Sequence, residues 1–394
     1  MPPQRGKGKN QNKPNPPLQT IAPWIRMYFA QHKNDRQILD TLLLHHIDTE
    51  VYGLGYTKFR QMRQQLGLNG ARQEGLTLER AKNNLDTLRH VYPGAGRDEM
   101  ISLYLFEYRA KIPRSIVVRY FRTYEPEAFE LRRHKRFVRH RFWSAGTNAL
   151  WCVDQHDKWK VTWGLCLHLC VDPFSGYLLW LRVWWNNSNP RLICHYYLQT
   201  IEALGKMPLI TQSDPGTENT RLANATTFLR RWHDPQLPTG TIQHQWKREK
   251  QNVKPEIEWS QLRRRFSQGF EAILEFGVRE GWYDSLNSIH VLTFRWVFIP
   301  WMQLELDGYT NRVNNKRKRK NNKKLTPQGV PLDLFERPED VGARNYAVSI
   351  VYQPKANRYL TAPLDYGRPH CNPGCQKGIC PRQSSRDVSG TTIL

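Results

Sequence analysis

From Ile21 to about Phe142 apolar residues recur every three or four positions amid basic ones, which predicts a helical region. The pattern marks helices near residues 23–31, 35–45 and 56–66, then a second group over 78–92, 97–108 and 113–123. In the stretch YTKFRQMRQQL the residues Phe59, Met62 and Leu66 make one apolar stripe, with Lys58, Arg60 and Arg63 among the polar positions. Pro113 suits a first helical turn and leaves Arg114 and Arg119 on the helix that follows. From Ala149 the texture changes to short apolar runs, at 149–153, 164–171, 177–184 and 208–213, which read as strands. The turn DPFSG separates the second run from the third. A helix over 189–204 precedes the fourth run, and two long helical stretches follow at 256–280 and 285–306.

Each basic helical group has two readings. A basic helix after a short turn is what enters the major groove in a helix-turn-helix unit, and a three-helix bundle with solvated basic faces gives the same pattern. Charge weighs on that choice. The 394 residues carry 59 Lys+Arg against 35 Asp+Glu, a net +24, which points to a polyanion, nucleic acid before an acidic membrane. No run approaches the roughly 18–20 apolar residues of a membrane span, and the first 17 residues lack the apolar segment of a secretory leader. Secreted, membrane-spanning and disulfide-stapled classes are therefore not expected.

The cations are concentrated. Residues 1–17 hold four and no acid, and read as a disordered tail. Residues 132–141 hold six, Arg132, Arg133, Lys135, Arg136, Arg139 and Arg141, again without an acid. Such a linker tracks a phosphate backbone, or else is a solvated helix. Residues 312–324 hold eight, among them Lys316, Arg317, Lys318 and Arg319, and read as a DNA-backbone arm, a nuclear localisation signal or a solvated loop. The expected division is a tail over 1–17, a helical DNA-binding region over 18–145, a catalytic core over 146–310, and a basic arm with C-terminal extension over 311–394. Near the end, His370, Cys371, Cys375 and Cys380 form a cluster that is either a zinc ligand set or free thiols. Cys152, Cys166, Cys170 and Cys194 fall on apolar runs and read as core residues.

The candidate chemistry lies in three acids. Asp154 ends the first strand, Asp214 ends the fourth, and a helix lies between them, so the strand ends can set the two side by side. Glu258, in PEIEWSQLRRRF near the start of a long helix, is the third candidate, with Arg263 and Arg264 on adjoining faces. Glu256 competes with it, and on a helix the two point about 200° apart, so only one faces the site. Converging carboxylates raise one another's pKa, and two hard divalent ions resolve the repulsion while bridging a substrate phosphate. Any one Asp can also be a mere strand-end cap. Lys158, beside Asp154, reaches phosphate or is a surface residue, and Asn219 orients target DNA or caps a helix.

The succession WxxDxxDK, DPFSGYLLWL, SNPRLICHYY, SDPGTEN and IEWSQLRR resembles the integrase catalytic core of the retroviral-integrase superfamily, most of all the transposon-type integrase core domain proteins of eukaryotes. The resemblance implies an α/β, RNase H-like fold: a mixed five-stranded sheet with flanking helices, here preceded by all-α helix-turn-helix-like units. It also implies a DDE triad at Asp154, Asp214 and Glu258, the last chosen over Glu256 because the IE-x-x-x-L-R pattern fits there. Further implications are two Mg²⁺ or Mn²⁺ ions, cutting and joining of double-stranded DNA (element ends and target), a homo-oligomer, and a nuclear location if the source is eukaryotic. Asp154 with Asp214 would hold one ion and Asp154 with Glu258 the other. The His₂Cys₂ zinc module of retroviral integrases is absent, since no Cys precedes Cys152. Two other readings of the same residues are a non-catalytic DNA-binding scaffold and a nuclease of RNA–DNA hybrids.

Overall fold

Asn34 and Gln37 show how the first helices are set. The Asn34 side chain accepts the Gln37 N–H at 2.9 Å, and the Gln37 side chain accepts the Asn34 N–H at 3.1 Å, a reciprocal cap that starts α2 (Asp35–His45). Together with α1 (Leu18–Ala30) and α3 (Tyr56–Gln65), α2 closes a small core of Ile21, Ile25, Tyr28, Ile38, Leu42 and Phe59. These observations come from a computed structural model that describes residues 13–71, 73–127, 142–247, 251–318 and 325–350. The cations at 132–141, Arg319 and the His370–Cys380 cluster lie outside the described residues.

The second helical group, α4 (Leu78–Val91), α5 (Arg97–Tyr108) and α6 (Arg114–Tyr124), has no core of its own. Leu85, Met100, Leu103 and Phe121 pack in one continuous cluster with strand residues Leu167 and Leu169 and with Trp259, Phe266 and Met302. Packing therefore runs across residue 145, where the composition changes.

The sheet contains β1 (Leu150–His156), β2 (Cys166–Val171), β3 (Leu178–Trp184), β5 (Ile210–Ser213) and β6 (His244–Trp246), in the order β3-β2-β1-β5-β6. β1–β2 and β2–β3 are antiparallel, whereas β1–β5 and β5–β6 are parallel. Two-residue strands β4 (Lys206–Met207) and β7 (Val348–Ser349) pair separately. Side chains alternate: Trp151 and Val153 join a core with Trp180, Ile193 and Tyr197, while Cys152 joins the cluster on the other side. β2 is buried at every position because both sheet faces are covered, which explains its unbroken apolar run.

After the short α7 (Lys158–Trp163), the helices α8 (Pro190–Leu204) and α9 (Thr220–His233) cover the Trp151 face. The other face receives α10 (Val253–Leu262), α11 (Gln268–Arg279) and the long α12 (Ser288–Asn315); a short α13 (Pro331–Glu336) follows. This is the mixed, helix-flanked sheet of an RNase H-like fold, preceded by an all-helical region. Among the described residues no helix is long and apolar enough to cross a membrane.

One expected helix, 256–280, is divided by a π-turn at Arg263–Ser267. There the corner after α4 presses on it from both sides. A Cβ at Gly94 would collide with the carbonyl of Arg264, and a Cβ at Gly269 with that of Val91. Both contacts are with backbone, which cannot swing aside as a flexible side chain does. Gly94→Ala and Gly269→Ala are each expected to cost about 1–3 kcal/mol, read as a lower midpoint in thermal melts. A variant as stable as the parent would show that the two segments do not interlock here.

Candidate active site

β1 and β5 run parallel with Leu150 beside Ile210, Trp151 beside Thr211 and Cys152 beside Gln212. Two residues further along come Asp154, still within β1, and Asp214, just past β5, so the register brings the two to neighbouring positions toward the C-terminal ends of two central strands. Asp214 follows the buried Ser213, whose hydroxyl donates to the Asp214 carbonyl at 2.8 Å and lies 3.1 Å from His244 Nε2. Asp214 Oδ1 is buried without a hydrogen-bond partner. An orphaned carboxylate oxygen is costly, and a cation is the partner that its chemistry calls for.

The third wall is α10. Asn252, fully buried at its start, donates from Nδ2 to the Val153 carbonyl at 2.9 Å and accepts from Gln212 Nε2 at 3.0 Å. One side chain thus ties the start of α10 to the residue before Asp154 and to the strand that ends in Asp214. Trp259 adds a second tie, since its indole N–H donates to Asp154 Oδ2 at 2.9 Å. His156 stacks on Trp259 with ring centroids 4.9 Å apart. Asn252→Leu strands a buried carbonyl and a buried amide, at about 1–3 kcal/mol each. Its expected signature is early loss of protection for the α10 amides in hydrogen exchange, and unchanged exchange there would refute the tie.

The two carboxylates differ in their surroundings. Burial is the main force that raises Asp154 to about 7, with the charges of Asp214 and Glu256 adding to it and the Trp259 N–H opposing it. Burial likewise raises Asp214. His156 is lowered to about 4 by burial and by the nearby Lys158, so its ring is neutral at pH 7.

Of the two glutamates on α10, the one whose charge reaches Asp154 is Glu256, which is exposed. Glu258 is turned elsewhere: it lies 3.5 Å from Lys318 Nζ, and its charge acts on Arg265 and Tyr309. Glu258, expected to join the two aspartates, is thus paired with Lys318 in this structure, while buried Trp259 and Leu262 fix which face of α10 packs inward. Among the described residues no three His, Cys, Asp or Glu side chains converge closely enough to hold a metal ion. The residues nonetheless suit a hard cation, with two adjacent carboxylates, one orphaned oxygen and a third acid on the neighbouring helix.

The expected DNA contacts divide by exposure. Lys58, Arg60, Arg114, Arg119, Lys158, Arg263, Arg264 and Arg317 are exposed. Arg63 is not available: it is 3% exposed, ion-paired with Asp35 Oδ1 at 3.0 Å and donating to Gln73 Oε1 at 3.1 Å, so it holds α3 to α2. Lys316 is paired with the buried Glu99, beside Arg265, and Lys318 is held by Glu258 and the Gly176 carbonyl. Asn219 is 3% exposed, donates to Glu218 Oε1 at 2.9 Å, and keeps a buried Oδ1 without a partner. It makes no side-chain cap hydrogen bond to α9.

Residue patterns missed Asn252 and Trp259. A polar residue just before a helix rich in carboxylates was the available signal for the first; nothing local marked the second. They also left open the role of Asp172 in the DPFSG turn. Its carboxylate is wholly buried and accepts from Asn148 N–H, Ser175 N–H and Ser175 Oγ at 2.7–2.9 Å, so it is spent on the turn.

No curated protein matches the chain. Against protein-family models, residues 142–337 match the family described as Integrase core domain, a span that holds the whole sheet and the helices on both its faces. That family implies polynucleotidyl transferase chemistry on a DNA substrate, generally with divalent metal ions. With an aspartate on β1, another just past the parallel β5, and an RNase H-like sheet, the chain carries an integrase core domain over residues 142–337.

Proposed function

We propose that the protein is a metal-dependent DNA integrase or transposase that cuts and joins strands by in-line phosphodiester transfer, with Asp154, Asp214 and Glu256 as its catalytic acids. The observation that carries this reading is the parallel register that brings Asp154, within β1, and Asp214, just past β5, to neighbouring positions, where a buried Asp214 oxygen lacks a hydrogen-bond partner. Glu256 replaces Glu258 as the third acid because its charge acts on Asp154, while Glu258 is engaged by Lys318.

Two Mg²⁺ or Mn²⁺ ions, held by these acids, would supply charge neutralisation at the scissile phosphate and a more acidic nucleophile. The chain's own groups do the rest. Asn252 and Trp259 hold Asp154 and α10 in place, so little reorganisation is needed when DNA enters. The neutral His156 lines the cleft without adding a competing cation. The exposed Lys158 and Arg263, whose charges reach His156 two residues after Asp154, would favour approach of a phosphate backbone, and the exposed Arg264 follows Arg263. Lys58, Arg60, Arg114 and Arg119 offer further cations on the helical region, where recognition of the element ends would take place.

The test uses the full chain with labelled duplexes that carry the element's flanking sequence, with Mg²⁺ or Mn²⁺ present. The expected result is nicking next to the end, followed by joining of the freed 3′-hydroxyl to a second duplex. Tight binding with neither product, in either metal, would make the protein a scaffold that has kept the fold.

A further inference from the structure

β6 is three residues long, and the one side chain it buries is a histidine. His244 is 5% exposed, and burial lowers its pKa to about 4, so the ring is neutral at pH 7. An apolar residue would fill this position without the cost of desolvating a polar ring. Thr211 and Ser213 stand two residues apart on β5 and so share a sheet face, with His244 in register with Thr211. The ring reaches both. Nδ1 lies 2.9 Å from Thr211 Oγ1, and Nε2 lies 3.1 Å from Ser213 Oγ. Each hydroxyl has one proton to give, which fixes the direction of these bonds. Ser213 spends its proton on the Asp214 carbonyl at 2.8 Å, and Thr226 spends its own on the Leu222 carbonyl at 2.9 Å. Ser213 Oγ therefore accepts from the ring, which makes Nε2 the protonated nitrogen, and Thr211 donates to Nδ1. The contact left without a proton is Thr211 to Thr226, the longest of the set at 3.3 Å. The opposite tautomer would leave the shorter contact between His244 and Ser213 without one.

We propose that His244, acting through Ser213, is the positioning residue that aims Asp214 at a metal ion, a role that rests on Asp214 being a catalytic acid. Asp154 has the Trp259 indole to hold its carboxylate, whereas Asp214 Oδ1 is buried without a partner, so the aim of Asp214 depends on its backbone. Pro215 follows it and brings no N–H to that turn. The hydroxyl of Ser213 fixes the Asp214 carbonyl, and the ring of His244 fixes the hydroxyl. With Nε2–H filling its acceptor side, the Ser213 O–H is directed at that carbonyl. Without the ring's donor the hydroxyl can rotate away and release the Asp214 peptide.

The experiments use the full chain. With nitrogen-labelled histidine, long-range correlation spectra at pH 7 should show His244 as the neutral Nε2–H tautomer; the Nδ1–H tautomer or a charged ring would overturn the proposal. His244→Leu should weaken Mn²⁺ binding, followed by water proton relaxation without DNA, by about 10–100-fold. In joining assays at a fixed Mn²⁺ concentration it should lower kcat by a similar factor and leave KM for the duplex unchanged, since Asp214 and not the DNA is displaced. His244→Gln, whose amide can donate to Ser213, should restore both to within a few-fold of the parent. Ser213→Ala should lose as much as His244→Leu, and the double variant no more, because the two side chains act in series. Should His244→Leu not fold, Ser213→Ala carries the same test. Mn²⁺ affinity unchanged in a His244→Leu protein that merely melts lower would make the ring a support of the fold alone, and losses that multiply in the double variant would also overturn the proposal. A parent that joins no ends sinks the catalytic reading, while the tautomer and the Mn²⁺ affinities still decide the role of His244.

Discussion

Asp154→Asn is expected to abolish nicking and joining, by on the order of a thousandfold or more, and at the same time to make the protein more stable at neutral pH. The second effect follows from the raised pKa. Burial lifts Asp154 from the ordinary 3.8 to about 7. Between those values the folded protein keeps a proton that the unfolded chain releases. Folding stability therefore falls as pH rises from about 4 to about 7, by up to roughly 1.4 kcal/mol per unit, and does not fall further on this account above 7. The neutral asparagine removes that loss. Thermal melts should show the variant well above the parent at pH 8 and close to it at pH 4. Mn²⁺ should raise the parent's melting midpoint at pH 8 by neutralising the ionised pair, and should raise that of the variant much less. A variant that is no more stable at pH 8, or one that is fully active, would remove Asp154 from the role assigned to it.

The largest contrast between neighbours is expected at residues 256 and 258. Glu256→Gln should lower strand joining by about 10²–10³-fold, since it deletes a ligand for the reacting centre. Glu258→Gln should keep activity within a few-fold, because what it loses is the pair with Lys318, a contact worth at most about 1 kcal/mol at a partly solvated site. The measurement is joining of labelled ends at saturating Mn²⁺, with duplex binding followed in parallel so that a folding defect is seen. Full activity of Glu256→Gln alongside a dead Glu258→Gln would restore the assignment that the IE-x-x-x-L-R pattern suggested.

The difference between these two glutamates shows how far local pattern reaches. Periodicity placed α2 to α6 and β1 to β3 to within a few residues, because each has an apolar stripe or run that must be buried, whereas α1 begins at Leu18 and runs through Pro23, where the expected helix started. The aspartates were legible for a related reason, since each follows an apolar run that reads as a strand, although β1 runs on past Asp154 to His156. β6, at His244–Trp246, was not legible: it is three residues long and only His244 is buried. The π-turn at Arg263–Ser267 was also hidden, because Gly94 and Val91, more than 150 residues away, shape it. Among the cations, Arg63 looked as free as Arg60 because a stripe of three apolar residues does not fix every remaining side chain.

The sequence by itself determined the strands that carry Asp154 and lead to Asp214, the helical region before them and the surplus of cations along the chain. These depend on local periodicity and composition, which a chain carries wherever it folds. Only the tertiary structure decided which glutamate's charge acts on Asp154, that Asn252 and Trp259 bond to β1, and that Arg63 and Lys316 are consumed within the protein. The physical reason is the same in each case. The rotation of a helix, and the choice of partner for a buried polar group, are set by residues distant in the chain that compete for the same space and the same hydrogen bonds.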